Sequence, residues 1–581
     1  MTRASISRWV AAFAATSALT LHAQTQPFER SRTDGALDDG TSPQAERARQ
    51  IEAATPRPNG KTAGMASPNA LVKGLGQVVA AQGSHALENG TATIPFYGYA
   101  GNGPMIPATG DVQTSSHLVE ATKTEPDKNT YLVVGNQTGG SPNYEYGTHF
   151  LFQGHENSSK DSTGSSQGYI TRINLDADGF HRVTLMATAD VDGKPLPLID
   201  GSTWDPWAQR LLFTSETGPK GGVWQATLDV PSKVEDISGV LGRGSYEGIQ
   251  NDSDGNLWIV EDVGGPSGTT NTHAKQPNSF LYRFLPKDRS NLKVGGKLQA
   301  LQVASSSGSP IVFHAGQADS DILSPDVKDL HTYGKSFATR WVTIHDTDLD
   351  GTSPFDANAA AKAKGATPFK RPENGQFRPG SNFTQFFFDE TGDTNAATEA
   401  GSAYGGFGSI LRLSQPAPSA ATGTLTLFYL GDVNHTGLDN VAFWDADHIL
   451  LGEDAGDSLH TQRNMLDSAF LFDLTGDYSD AFENPPLRLL AQGRDPSATI
   501  DSGLSGQPGF QNDGDNELTG LHVSNGDPTP NGILGANIPT PFANGWRVFY
   551  TQQHGDNVTW EIVKTAPSPT LTSVAFSAGI D

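Results

Sequence analysis

Carboxylates at a regular spacing are the residues of this chain with the clearest chemical use. Three stretches repeat one pattern: DGSTWDPWAQRLLFTSE from Asp200, YEGIQNDSDGNLWIVED from Tyr246 and LDNVAFWDADHILLGED from Leu438. In each, a small or acidic residue (Ser202, Glu247, Asp439) stands 14 positions before a glutamate (Glu216, Glu261, Glu453). Weaker copies follow: RPENGQF around Glu373 precedes Asp389 by 16 residues, THFLFQGHEN ends near Glu156, and NELTGLHV around Glu517 leads through a Pro/Asn/Gly-rich insertion to His554. Converging Glu and Asp oxygens would hold two or more hard cations, which acidify a water and stabilise charge on a reacting phosphoryl group. Arg371, in the same Arg-Pro-Glu, has the fork geometry to hold non-bridging oxygens. A ring of such acids would be unstable empty, because carboxylates ~4–6 Å apart repel and some must take up protons.

Convergence requires an element that returns each acid to the same place. The DPWAQ, DSDGN and DADH segments read as tight turns between short apolar runs, so each copy is a hairpin with both marked residues at one end. Repetition at a long, irregular period predicts an all-β fold, a six-bladed β-propeller in which equivalent strand ends meet at one mouth. Loop insertions interrupt it, and one short helix is expected: Asp356 caps it, Ala359 to Lys364 fill it and Gly365 stops it.

Bulk composition agrees. The 581 residues include 65 Gly and 36 Pro, which favours turn-rich β structure. A net charge of −25 argues against nucleic acid and suits multivalent cations. There is no cysteine, which excludes disulfides, thiolate metal sites and cysteine nucleophiles. Residues 1–23 read as a signal peptide cleaved near Ala23, with Arg3 and Arg8 before an apolar run shorter than a membrane span, which places the protein in the periplasm or outside the cell. Residues 24–75 read as a disordered leader, and 76–581 as one propeller domain, expected to be a monomer without membrane contact.

Plainer readings stand beside these. Any single Glu-Asp pair also fits a solvated strand end, His155 and His554 fit hydrogen-bonded strand ends as well as ligands or acids, and Ser215 is a nucleophile only beside a base. DTDLDG from Asp346 is the first half of a calcium loop whose closing glutamate is replaced by Ala357, with Asp356 as a substitute.

In wording, FLFQGHEN, LLFTSE, LGRGSYEGI with LWIVED, FLYRFLP, AKGATPFKRPENGQF, LDNVAFWDADHILLGEDAG and NELTGLHV, spread over Tyr131 to Asp556, resemble the bacterial PhoX-type alkaline phosphatases. The resemblance implies a six-bladed propeller holding iron and calcium that hydrolyses phosphate monoesters. It implies metal ligation by Glu247 and Glu373, a phosphate grip by Arg371, and acidic calcium-rim positions at Glu156, Glu216, Glu261 and Glu453. Two departures are visible. The family's Thr-Cys-Glu-Glu, whose cysteine bridges two irons, reads Thr214-Ser215-Glu216-Thr217, and Arg3 and Arg8 are not a twin-arginine pair. Both point to a site filled after export by calcium or another hard divalent ion, with iron or manganese as alternatives.

The expected function is a secreted metal-dependent phosphoesterase acting on small phosphate esters. Its catalytic residues would be Arg371, Glu373 and Glu247, and its metal ligands Glu156, Glu216, Glu247, Glu261, Glu373, Asp439 and Glu453. The alternatives are a phosphodiesterase or phosphotriesterase on the same site, or a non-catalytic calcium-binding propeller with an extracellular partner.

Overall fold

A computed structural model describes residues 55–60, 69–101, 121–156, 159–160, 166–479, 485–493, 517–553 and 557–565. Residues 1–23, read as a signal peptide, lie outside the described residues, as do 24–54 and 61–68 of the stretch read as leader, and His554.

Antiparallel four-stranded meanders dominate. Thr130–Val133, His149–Gly154, Ile170–Asn174 and Val183–Ala187 form blade 1, and Ser202–Asp205, Arg210–Ser215, Gly222–Ala226 and Val234–Asp236 form blade 2. Blade 3 runs from Tyr246–Asn251 through Leu257–Glu261 and Leu281–Pro286 to Gly296–Val303, and blade 4 from Gly375–Phe377 through Gln385–Glu390 and Ser409–Ser414 to Thr422–Leu430. Blade 5 begins at Leu438–Phe443 and ends at Leu487–Ala491. Blade 6 contains Leu518–Ser524, Arg547–Gln552 and Val558–Lys564, and its fourth strand is Leu75–Ala81 from the start of the described chain. Blades 3 and 4 share one nine-stranded sheet, because the long strand Ser336–Asp346 pairs with the outer strand of each.

The first strands of successive blades touch in order, from Thr130–Val133 round to Leu518–Ser524 and back, so they line one closed ring. Apolar cores lie between neighbouring blades: Leu212 and Val223 pack with Tyr246 and Ile249, and Tyr131 and Leu151 pack with Phe549. This is the β-propeller expected from the hairpin repeats.

Turn chemistry holds the hairpins in register. Asp252 accepts from Asp254 N–H at 2.9 Å and Asn256 N–H at 3.0 Å, and Gly255 takes φ +84°, so DSDGN is the hairpin turn that its sequence suggested. The expected helix spans Ala357–Ala363, with Asp356 accepting from Ala359 N–H and Gly365 at φ +67° behind it. The expectation of a single helix needs correction, since Ala318–Ile322, Pro325–Leu330 and Gly456–Arg463 are also helical. These lie in loops between strands, where periodicity is too short to announce them. Ala70–Leu71, within the stretch read as leader, pairs with the outer strand of blade 5. No helix among the described residues is long and apolar enough to cross a membrane.

Candidate metal centre

Each blade presents one acid where its first strand begins: Asp127, Asp200, Glu247, Glu373, Asp439 and Glu517. A second position follows the returning strand, acidic in blades 1, 3 and 5 and a threonine, Thr391, in blade 4. The N–H groups of Glu156, Asp262, Thr391 and Asp454 donate to the carbonyls of Glu125, Ser245, Arg371 and Gly437, each two residues before its blade's first acid. In blades 3 and 5 a register shift after Tyr246 and after Leu438 turns Glu247 and Asp439 toward the axis.

The outcome is four trios of carboxylates: Asp127, Asp200 and Glu247; Glu156, Asp200 and Glu216; Glu216, Asp262 and Glu373; Glu247, Glu373 and Asp439. Within each, one oxygen per residue lies within 4.8 Å of the others, and shared members join all four into one cluster. Burial, followed by neighbouring carboxylates, pushes the acids of Glu156, Asp200, Glu216, Glu247, Glu373 and Asp439 well above their usual range. Without counter-ions, this cluster must carry protons.

One arginine and one lysine answer part of that charge. Arg371 donates from Nε to Asp262 at 3.1 and 3.0 Å, and from Nη2 to Asp262 at 2.7 Å and Glu373 at 3.3 Å. Its Nη1 makes no hydrogen bond among the described residues, and its side chain is 20 % exposed. Its backbone holds φ +58°, as do the equivalent Glu125 at +45° and Gly437 at +62°. Thr391 Oγ1 donates to Glu373 Oε1 at 2.6 Å and fixes that carboxylate from behind. Lys128, fully buried, donates to Asn440 Oδ1 at 3.1 Å, and Asn440 Nδ2 donates to Asp439 Oδ2 at 2.9 Å.

Of the acids expected from sequence, the structure brings Glu156, Glu216, Glu247, Glu373 and Asp439 together. It does not bring Glu261 and Glu453 to the trios. Glu261 accepts from Tyr282 Oη at 2.8 Å and Asn358 Nδ2 at 3.0 Å, and burial raises its pKa to about 7. Glu453 forms an ion pair with Arg463 at 2.9 Å and accepts from Thr436 N–H at 3.0 Å. Successive side chains of a strand face opposite ways, so of Glu261-Asp262 only Asp262 reaches the cluster. Asp127, Asp200 and Asp262 are members that the sequence reading missed. The 14-residue count marked Ser202, whose hydroxyl lies 2.8 Å from Thr130 Oγ1, whereas the blade's acid is Asp200, two residues earlier.

Other candidates lie elsewhere. His155 is stacked on Tyr169, lies 2.9 Å from Thr171 Oγ1 through Nε2, and is kept neutral by burial, which lowers its pKa to about 3. Ser215 Oγ meets Thr217 Oγ1 at 2.9 Å. In DTDLDG, Asp346 pairs with Lys297 and Asp348 with Lys287, and neither of these acids belongs to the carboxylate trios.

Residues 270–468 match the family model described as "Alkaline phosphatase PhoX". The resemblance to PhoX is borne out. With it comes the enzyme class, a hydrolase of phosphate ester bonds. Arg371, Glu373 and Asp439 fall inside the PhoX span, and Asp127, Asp200 and Glu216 fall before it. No curated protein matches the chain. Among solved structures it is similar to Pseudomonas fluorescens PhoX in complex with vanadate, a transition state analogue, at 12% identity over 87% of this chain and 98% of that one, with a TM-score of 0.49. It is also similar to TolB from Acinetobacter baumannii, at 10% identity over 69% and 60% of the two chains and a TM-score of 0.27. A GH43_1 enzyme from Xanthomonas citri gives 9% identity, 60% and 88% coverage and a TM-score of 0.29.

The PhoX-type metal requirement fits the residues present. All twelve places in the four trios are carboxylates, and Asp200 Oδ1, Asn374 Oδ1 and Asp389 Oδ2 are buried without a hydrogen-bond partner. An all-oxygen donor set of high negative charge suits hard divalent cations such as calcium, magnesium or manganese.

Proposed function

We propose that this protein is an exported, metal-dependent phosphoesterase whose cations are held at the propeller mouth by Asp127, Glu156, Asp200, Glu216, Glu247, Asp262, Glu373 and Asp439. The observation that carries the reading is the juxtaposition of four interlocking carboxylate trios with an arginine whose Nη1 is uncommitted. Bound hard cations would supply a more acidic water and positive charge for the phosphoryl oxygens.

The chain's own residues do the rest. Asp262 grips Arg371 through Nε and Nη2, which aims the other face of the guanidinium outward as a preformed donor for a non-bridging oxygen. Because that donor is already oriented, little reorganisation accompanies charge build-up on the phosphoryl group. Glu373 is clamped between Thr391 and Arg371, so the ligand and the phosphate grip move as one unit. Export rests on the signal-like residues 1–23.

Purified protein is expected to hydrolyse a chromogenic phosphate monoester, to lose that activity on chelation, and to regain it with calcium, manganese or iron. Glu373→Ala and Arg371→Ala should each abolish turnover while the circular dichroism spectrum is retained. A folded, metal-loaded protein inert toward mono-, di- and triesters would sink the proposal and leave the binding-module reading.

A further inference from the structure

Beside Arg371 stands a second cation that the phosphoryl group does not require. Lys275 lies in blade 3, in the loop between Leu257–Glu261 and Leu281–Pro286. Its backbone N–H donates to Asp393 Oδ1 at 2.9 Å, and Asp393 is held at 2.9 Å through both oxygens by the ammonium of Lys370, the residue before Arg371. Its Nζ lies against Gly264, where an added Cβ would stand 3.3 Å away, two residues beyond the Asp262 that grips Arg371. Arg371, Asp262, Asp393 and Glu373 are the charges that act on it.

Those carboxylates already have cations: Asp262 and Glu373 engage Arg371, and Asp393 engages Lys370. Lys275 Nζ makes no hydrogen bond or ion pair among the described residues, although the side chain is about half-buried. It lines a cavity of about 360 Å³ with His273, Asn395, Gly456 and Ser458, beside Asp393 and the exposed Asp457. His273 is held by Glu399 at 3.0 Å, so the ammonium is the cation in this wall left to meet a ligand. Two cations held close together repel, and an anion placed between or beside them relieves the repulsion.

We infer that Lys275 binds an anionic group on the alcohol portion of the substrate, so that the site prefers phosphate esters whose leaving group carries a second negative charge. This rests on the phosphoesterase reading above. On that reading the phosphoryl group would have Arg371 and the cations of the carboxylate cluster, and the alcohol portion would extend toward the cavity that Lys275 lines with Asp393 and Asn395.

The metal-loaded enzyme should be assayed with phenyl phosphate and 4-carboxyphenyl phosphate by phosphate release, for wild type, Lys275→Met and Lys275→Arg. The ratio of kcat/KM for the carboxylated over the plain ester is expected to fall about tenfold in Lys275→Met, the scale of one modest charge pair. Lys275→Arg should recover most of it, and added salt should compress the wild-type ratio. A ratio equal in wild type and Lys275→Met would overturn the role of Lys275 while leaving the phosphoesterase reading intact. Failure of wild type to hydrolyse either ester would overturn both.

Discussion

Arg371 combines a left-handed backbone with a committed guanidinium, and the two properties separate by mutation. A β-carbon at φ +58° is strained, and Gly437 occupies the matching place in blade 5 without that strain. Arg371→Gly should therefore unfold at a higher temperature than Arg371→Ala, although both lose turnover. Thermal melts beside activity assays check this, and equal melting temperatures would remove the strain argument. Glu247 and Glu261 offer a second contrast. Glu247→Gln should weaken cation binding at least tenfold by calorimetry, whereas Glu261→Gln, held by Tyr282 and Asn358 away from every trio, should leave binding and turnover near wild type. The convergence of Glu247, Glu373 and Asp439 was legible because hairpin turns announce their own register. Which acid of an adjacent pair faces inward was not, since one letter of register decides it and the turns fix register only to within a residue or two.

At the scale of elements, the helix Gly456–Arg463 pins the returning strand of blade 5 by a buried ion pair. Arg463 and Glu453 are 2 % and 1 % exposed, and Arg463 also meets Asp467 at 3.3 Å. Arg463→Met would strand Glu453 as an uncompensated buried charge, at a cost of about 3–5 kcal/mol. Denaturant unfolding should show that loss, and a change below ~1 kcal/mol would contradict the burial argument. The sequence marked Glu453 as an acid of interest but gave no hint of its partner, because the helix carries no apolar stripe to reveal it. By contrast, Asp356 and Gly365 disclosed the boundaries of their helix through capping chemistry alone.

For the whole molecule, the carboxylate cluster couples stability to both pH and cations. Glu156, Asp200, Glu216, Glu247, Glu373 and Asp439 all have raised pKa values in the folded, metal-free chain. The folded state then binds more protons than the unfolded one. Their contribution is fully present below the ordinary carboxyl range of ~4 and is lost as pH rises through the raised values. Chelated protein should accordingly melt lower at pH 8 than at pH 5, and calcium should raise the melting temperature more at pH 8, where protons no longer compete. A melting temperature of the chelated protein that is flat or rises between those values would mean that the acids are not crowded as described. The propeller itself was readable from repeated hairpins. The fusion of blades 3 and 4 through Ser336–Asp346 was not, because a strand between two repeats belongs to neither pattern.

The pairing of Leu75–Ala81 with Val558–Lys564 sets a timetable. During synthesis the early strand has no partner in its sheet until Val558–Lys564 emerges, so its hydrogen-bonding edge waits while nearly five hundred residues are added. The acids it helps to gather, from Asp127 to Glu517, are likewise spread along the chain. If the cluster binds cations as proposed, a C-terminally shortened chain should bind them weakly and leave that strand edge exposed.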